Sequence, residues 1–169
     1  MLGENNVYFL PYLTGERSPL NDTDARGLFI GMSPTTKQEH MLLAVLEGVA
    51  FAIRDNIEIA RLLGINISSS TICGGGARSE LWRKIICNVL NIPLDIPSVE
   101  EGPAYGGAIL SAIVCNYNQN YREYIKNYIQ IKERIYPNKT LVEKYEERYS
   151  NYKKIYPAVA DLYKEIRNV

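Results

Sequence analysis

The amino-acid sequence predicts an α/β domain with a partly parallel sheet. Short runs of β-forming residues alternate with helical patterns through residues 7–114, which is the arrangement that builds a sheet covered by helices. In addition, 46% of the 169 residues are hydrophobic, which is enough for one compact core, while the length is too short for two ordinary domains. We therefore expect a single domain.

The first predicted elements are two neighbouring strands at residues 7–13 and 27–32, joined by a polar loop rich in turn residues. A long helix should follow them, because Thr36 and Glu39 have the spacing of a capping box and Gly64 provides a terminator. Apolar residues recur at helical spacing between these ends and predict the buried face of the helix: Leu42, Leu46, Val49, Ile53, Ile57 and Ala60.

Strand and helix continue to alternate in the middle of the chain. We predict a strand at residues 70–73, a helix at about 78–90 and a strand at 93–96. Pro103, a residue favoured in the first turn of a helix, opens a further helix that runs to about residue 114. The helix at 78–90 should bury one apolar face, made of Leu81, Ile85 and Val89.

Residues 117–169 are expected to form a helical tail that packs on the domain formed by residues 1–116. Tyrosines in this tail fall at helical spacing: Tyr121, Tyr124, Tyr128, Tyr145, Tyr149, Tyr152 and Tyr156. Aromatic residues among lysines also occur on nucleic-acid-binding surfaces, but carboxylates such as Glu143 and Glu146 would repel phosphates here. We therefore expect a tyrosine stripe that faces the domain, and no nucleic-acid partner.

Charge and composition argue against several kinds of site. Lysine and arginine total 19, as do aspartate and glutamate, so no net positive field attracts nucleic acid or an anionic membrane. No apolar run reaches the ~18 residues of a membrane-spanning helix and no leader pattern opens the chain, so we expect a cytoplasmic protein. His40 is the only histidine, which argues against a histidine metal cage or a catalytic triad and predicts an ordinary helix residue. The three cysteines are expected to be reduced core residues: Cys73, Cys87 and Cys115.

The stretch TICGGGARSELWRKI, residues 71–85, is the strongest candidate for a ligand site. Glycine costs a helix about 1 kcal/mol relative to alanine, so three in a row require a reason. A strand that ends in Gly74, Gly75 and Gly76, followed by a helix starting near Arg78, would aim free backbone N–H groups at a phosphate. Arg78 in the first helical turn would oppose the helix dipole and so favour a nearby anion. The residues alone leave a tight turn with a solvent-facing arginine equally open, since neither the Walker pattern nor G-x-G-x-x-G is present.

Other glycines lie inside predicted helices. Gly48 and the pair Gly106 and Gly107 would weaken those helices unless another backbone or a ligand must come close, and we expect close helix packing. Aspartates such as Asp22 and Asp95 are scattered, without the spacing of a carboxylate pair or a metal-binding loop. The spacing therefore identifies no catalytic base and no metal ligand.

Residues 27–47, GLFIGMSPTTKQEHMLLAVLE, resemble the second signature of the FGGY carbohydrate kinases at every constrained position. The stretches LPYLTGERSPLNDTDARG, LEGVAFAIRDN, GGGARSELWR and EEGPAYGGAILSA, and then YPAVADLY, resemble in the same order the carboxy-terminal half of the members that phosphorylate xylulose. Members that phosphorylate gluconate share GERSP and stretches similar to GGGARSELW, so they are the nearest alternative.

The resemblance implies a ribonuclease-H-like domain of the actin and Hsp70 ATPase type, with a mixed sheet flanked by helices and a helical carboxy-terminal tail. Residues 1–116 would then be the ATP-binding domain of the family without its first strands. The cofactors implied are ATP and Mg²⁺, and Glu80 stands where related glycerol kinases carry an adenine-contacting asparagine. The resemblance assigns nucleotide binding to six residues: Gly74, Gly75, Gly76, Arg78, Ser79 and Glu80.

Several features of the family do not occur in this sequence. They are the D-x-G-T phosphate loop and aspartate base of a sugar-binding amino-terminal domain, and the Gly-Thr-Ser-Gly loop that opens the second domain. The resemblance therefore implies that the base and the Mg²⁺ ligands lie outside this chain, and that its partners are ATP or ADP and the sugar-binding domain. We expect the isolated chain to be inactive, and a cut strand edge at residues 7–13, carrying Phe9, Leu10 and Leu13, to favour a homodimer. A non-catalytic actin-fold nucleotide-binding module is the alternative.

Overall fold

The computed structural model describes residues 2–99, 102–116, 125–126 and 128–167. Helices and strands alternate as predicted, and within these residues the four helices named below flank strands that form one antiparallel and one mixed sheet. The elements in chain order are β1 (Tyr8–Leu10), β2 (Leu28–Ile30), α1 (Gln38–Leu62), β3 (Ser70–Thr71), a 3₁₀ turn (Gly75–Arg78), α2 (Glu80–Leu90), β4 (Leu94–Pro97), α3 (Gly102–Asn116), β5 (Ile131–Ile135) and α4 (Lys139–Arg167).

Strand β1 pairs with β2 in an antiparallel ladder, which confirms that the first two strands are neighbours. The second sheet has the order β3-β4-β5, with β3 parallel and β5 antiparallel to β4. Strand β5 lies in the segment predicted to be helical, so that part of the prediction is wrong. Its residues, IKERI, show no alternation of apolar and polar side chains. The strand forms because Arg134 faces Asp95 across the ladder with β4, a contact distant in sequence.

Helix α1 begins at Gln38 rather than at the predicted capping box. The Thr36 hydroxyl accepts a hydrogen bond from the backbone N–H of Ser33 (2.8 Å), so it stabilises the preceding turn. The imidazole Nδ1 of His40 instead accepts a hydrogen bond from the backbone N–H of Lys37 (3.0 Å). His40 is thus a helix residue, as expected, with a capping role that the sequence pattern did not indicate. Gly64, at a φ of +79°, follows the end of the helix as predicted.

The buried face of α1 differs from the predicted one. Leu42 and Ile53 are exposed, and the other four predicted residues are only partly buried. The reason is the close approach of β1, since a Cβ atom added to Gly48 would lie 2.2 Å from the carbonyl oxygen of Phe9. This contact confirms the close packing expected at Gly48. It turns a neighbouring stripe of the helix inward, made of Leu43, Ala44, Glu47, Gly48, Ala50, Phe51 and Arg54.

Helix α4 packs its tyrosines onto α1, which confirms the predicted stripe for the residues described. The rings of Tyr145, Tyr149 and Tyr152 are buried, with centroids 5.0 to 6.2 Å from that of Phe51. Two of the three hydroxyls also form hydrogen bonds: Tyr149 donates to Asp55 (2.6 Å), and the hydroxyls of Tyr152 and Tyr12 lie 3.1 Å apart. Tyr128 is exposed, and Tyr121 and Tyr124 lie outside the described residues.

A buried ion pair joins α1 to α4. The guanidinium of Arg148 donates to the carboxylate of Glu47 (2.8 Å), and the two side chains are 6% and 0% exposed. The same Arg148 nitrogen donates to the carbonyl oxygen of Val7 (3.1 Å), and the guanidinium lies 4.4 Å from the centroid of the Tyr8 ring. Burial raises the pKa of Glu47, although Arg148 opposes the shift. One arginine therefore holds β1, α1 and α4 together.

One further expectation about exposure is wrong. Cys87 is buried as predicted, but Cys73 and Cys115 are exposed, because one follows the end of β3 and the other lies on the outer side of α3. The apolar residues of the predicted cut strand edge differ in exposure, since Phe9 and Leu10 are buried and Leu13 is exposed. Among the described strands β1 pairs with β2 alone, and the homodimer expected through its other edge stays a prediction. Among the helices described, none combines the length and apolar character needed to cross a membrane.

Candidate functional site

The glycine run lies at the carboxyl end of β3, as the sequence predicted. Strand β3 ends at Thr71 and the parallel strand β4 ends at Pro97, so both carboxyl ends meet at one edge of the sheet. Ligands of open α/β sheets bind in the crevice outside these ends. Gly74 follows β3 after two residues and adopts a φ of +86°, a conformation that side chains other than glycine rarely take.

The three glycines have different surroundings. A Cβ atom added to Gly74 or Gly75 would meet no described atom within 4 Å, so the backbone there faces open space. A Cβ atom added to Gly76 would lie 2.4 Å from the ring of Trp82. The indole therefore occupies the space where a side chain at Gly76 would lie, and nucleotide binding by this backbone stays a prediction. Gly74 and Gly75 are the residues whose bare backbone is accessible.

Helix α2 begins after Arg78, not with it. Gly75–Arg78 form the 3₁₀ turn, and Ser79 caps α2 through its hydroxyl, which accepts a hydrogen bond from the backbone N–H of Trp82 (3.2 Å). Arg78 thus lies outside the first turn of the α-helix, so the argument that it opposes the dipole is wrong. Glu80 occupies that turn, where a carboxylate is favourable. Leu81 is exposed, whereas Ile85 and Val89 are buried as predicted.

A cavity of about 380 Å³, here called the glycine groove, opens beside this loop. Among the residues that the structure describes, ten line it; three of these are cations from three different elements, and none of the ten is a carboxylate. The groove is therefore suited to an anionic ligand, since backbone N–H groups at the strand ends and cationic side chains act together. The lining residues are Ile72, Cys73, Gly74, Ala77, Arg78, Arg83, Ile96, Pro97, Ser98 and Lys132.

Two of the three cations were not predicted as site residues. Arg83 projects from the first turns of α2, and its guanidinium lies 3.5 Å from Glu133 and 3.9 Å from Glu80. Its position four residues after the cap Ser79 is a signal that could have identified it. Lys132 comes from β5, for which the local sequence contains no strand signal, so no pattern could have placed it here.

An apolar cleft of about 170 Å³ adjoins the glycine groove on the side of α3. The two cavities share Cys73, Pro97 and Ser98, and the cleft continues along Tyr105 and Ile109. The sulfur of Cys73 would lie 3.2 Å from a Cβ atom added to Gly102, so that glycine lets α3 start close to the strand end. The site therefore has a cationic part and an apolar part. This combination suits a ligand that carries both negative charge and an apolar group.

Two further observations concern the glycines of α3 and possible metal ligands. Gly106 and Gly107 have no described atom within 4 Å of an added Cβ atom, so the close packing expected there is not observed. Within the described parts of the chain, no three histidine, cysteine, aspartate or glutamate side chains are grouped so that they could hold a metal ion.

Comparison with known proteins places this geometry in context. The sequence model of the FGGY family of carbohydrate kinases, C-terminal domain, matches residues 2–115. The xylulose kinase of Staphylococcus xylosus is 35% identical over 155 residues, which are 92% of this chain and 32% of that protein. The chain thus spans about a third of the length of its curated relatives.

Solved structures agree in fold. A structure described as a xyloylose kinase from Brucella ovis matches with a TM-score of 0.83 and 39% identity, over 93% of this chain and 32% of that one. A gluconate kinase from Lactobacillus acidophilus matches with a TM-score of 0.84 and 27% identity, over 98% and 34% of the two chains. These matches confirm the expected actin and Hsp70 type of fold.

Proposed function

The chain belongs to the FGGY family of carbohydrate kinases, and from this we propose that it is the ATP-binding domain of an enzyme that phosphorylates D-xylulose to D-xylulose 5-phosphate. The observation that supports nucleotide binding is the glycine groove, where an accessible glycine backbone at the end of β3 lies beside three cations and where no carboxylate is found among the described lining residues. Xylulose is favoured as the substrate because curated relatives 35% identical to this chain are named xylulose kinases.

Within the site, each proposed residue has a distinct part. Gly74 and Gly75 let the phosphates and ribose approach the backbone, and Arg78 supplies positive charge to the groove. Ser79 caps α2 and so fixes the direction of the loop, while Gly76 gives room to Trp82. We assign Glu80, at the start of α2, to the adenine end of the nucleotide.

The chemistry of the complete reaction needs more than this site. Transfer of a γ-phosphoryl group requires the acceptor oxygen to lie in line with the bond that breaks between the γ-phosphorus and ADP. A base must take the proton of the acceptor hydroxyl, and Mg²⁺ would neutralise charge on the phosphates. We propose that a sugar-binding amino-terminal domain supplies the base and the acceptor site. Residues 1–116 would form the nucleotide domain, and residues 117–169 a tail packed on it. A cytoplasmic location and the use of Mg²⁺ belong to the same proposal.

Gluconate is the second candidate substrate, because the gluconate kinase of Lactobacillus acidophilus has nearly the same fold over 98% of this chain. The two substrates differ in charge, since gluconate carries a carboxylate and xylulose does not. An assay of the longer protein with both sugars distinguishes them. Faster turnover of gluconate would replace xylulose in the proposal and leave the nucleotide site unaffected.

Calorimetric titration with ADP tests the nucleotide site. Gly75→Val is the informative variant, because Gly75 has an ordinary φ and open space around its Cβ position, so the fold should persist. The valine should lower ADP affinity about tenfold or more by filling the space that the ligand needs. Gly107→Ala on α3, also in open space, is the control and should leave affinity unchanged. Equal ADP affinity of a folded Gly75→Val variant and the unaltered chain would remove the glycine loop from the site.

A further inference from the structure

Two cations on strand β5 have different surroundings. Lys132 and Arg134 are two residues apart on the strand, and Lys132 lies where the pairing with β4 shifts register, between the partners of Ile96 and Pro97. Arg134 is bound to Asp95 on β4 by two parallel hydrogen bonds, Nε to Oδ1 at 2.5 Å and Nη2 to Oδ2 at 2.7 Å. These hydrogen bonds lower the pKa of the Asp95 carboxyl. The Arg134 side chain therefore joins β5 to β4 within the sheet, whereas Lys132 lines the glycine groove.

Arg83 is held more loosely than Arg134. Its guanidinium nitrogens lie 3.5 Å from Glu133 and 3.9 Å from Glu80, distances longer than a charge-assisted hydrogen bond. The side chain is only 15% exposed, because it lies along the groove wall rather than in free solvent. A small rotation would bring it to an anion without breaking a short contact.

These positions identify the part of the ligand that the groove recognises. ADP carries two phosphate groups, and the described residues that line the groove include three cations and no carboxylate, although Glu133 and Glu80 lie near Arg83. Its volume of about 380 Å³ lies in the range of small-molecule sites. Two of the three cations, Lys132 and Arg83, lie outside the glycine loop, and Lys132 also lies outside the sequence motif around it.

We propose that Lys132 and Arg83 bind the phosphate groups of the nucleotide, so that strand β5 forms one wall of the site. This rests on the proposed nucleotide-binding function. It gives the segment after α3 a part in ligand binding as well as in packing. By linkage, ADP should stabilise the pairing of β5 with β4, since binding and docking of the strand favour each other.

The test compares affinities for ADP and for adenosine, which lacks phosphates. Lys132→Gln should weaken ADP binding about tenfold and leave adenosine binding unchanged, because a charge-assisted contact to phosphate is lost. Arg83→Gln should act in the same direction, and Lys132→Arg should restore most of the ADP affinity. Lys139→Gln is the matched control, since Lys139 is an exposed lysine seven residues along the chain that does not line the groove.

Each outcome decides between distinct possibilities. An equal loss for ADP and adenosine would show that Lys132 acts through the packing of β5, which overturns the proposal. Unchanged ADP affinity in Lys132→Gln, together with a loss in Gly75→Val, overturns this proposal and leaves the nucleotide site intact. Absence of ADP binding by the unaltered chain overturns both.

Discussion

Helices α1 and α3 both contain glycine, but only the glycine of α1 is required by close packing. In α1, Gly48 touches the backbone of β1, and an added Cβ atom would lie 2.2 Å from the Phe9 oxygen. In α3, Gly107 has no described atom within 4 Å of an added Cβ atom. The first glycine is required by packing with the rest of the chain, and the second is not. The difference separates an anchored region, made of β1, α1, α2 and α4, from an open region, made of β3, the glycine loop and α3.

The anchored region satisfies its charges internally. Arg54 donates hydrogen bonds to Glu58 (3.1 Å), to the carbonyl oxygen of Val89 (3.1 Å) and to Glu146 (2.8 Å), and it lies 4.2 Å from the centroid of the Tyr149 ring. The open region instead leaves apolar surface uncovered. Helix α3 has no charged residue, yet Leu110 is 64% and Val114 75% exposed. Stability should therefore reside in the anchored region, while the open region carries the ligand surface.

Removing the Glu47 carboxylate should have the largest effect on the stability of the anchored region. In Glu47→Ala the guanidinium of Arg148 loses its carboxylate while remaining buried, which lowers the free energy of unfolding by about 3–5 kcal/mol. Urea denaturation followed by circular dichroism measures the change. The matched control is Glu146→Ala, which removes a half-exposed carboxylate from Arg54 but leaves that arginine its other acceptors. We expect a loss below about 1 kcal/mol there. Similar losses in the two variants would contradict a special role for the buried pair.

Two glycine-to-alanine substitutions, one in each region, test the difference in packing between the regions. Gly48→Ala should destabilise the chain by about 1–3 kcal/mol, because its Cβ meets the backbone of β1 and cannot be accommodated by a side-chain rotation. Gly107→Ala should instead stabilise it by about 0.5–1 kcal/mol, since alanine restricts the unfolded chain and meets nothing in the helix.

The opposite signs are the essential result of this pair, which thermal unfolding of both variants under one set of conditions would measure. Destabilisation by Gly107→Ala would indicate that α3 is closely packed in solution, against the open region described above. A neutral Gly48→Ala would show that α1 and β1 can separate at little cost.

Local patterns predicted the elements better than the contacts between them. The alternation of strands and helices, the end of α1 at Gly64 and the inward face of the tyrosines all follow from spacing along the chain. The inward face of α1 does not, because it is determined where β1 crosses Gly48. The predicted capping box failed for a similar reason, since Thr36 bonds to Ser33 in the preceding turn.

In the site, too, the features with a local sequence pattern were predicted and those that depend on distant contacts were not. The position of the glycine run after β3 could be predicted, because a strand followed by glycines and a helix cap has a local signature. The contribution of Lys132 could not, since β5 becomes a strand only by pairing with β4 through Asp95 and Arg134. Residues contributed by distant segments therefore escape a motif, even when the motif itself is correct.

The smallest expected effect on stability is that of cysteine labelling, which should leave stability unchanged. Labelling reports the exposure of individual thiols in the two regions. Burial raises the pKa of Cys87 to about 11, so about one thiol in a thousand is ionised at pH 8. We expect iodoacetamide at pH 8 to label Cys73 and Cys115 in the folded chain, and Cys87 only after unfolding, as measured by mass spectrometry. ADP should slow labelling of Cys73, which lines the glycine groove, and not that of Cys115. If ADP slowed both alike, the ligand would be acting on α3 as a whole, and the groove would not be its local site. Rapid labelling of Cys87 in the folded chain would show that α2 opens readily, which places it outside the anchored region.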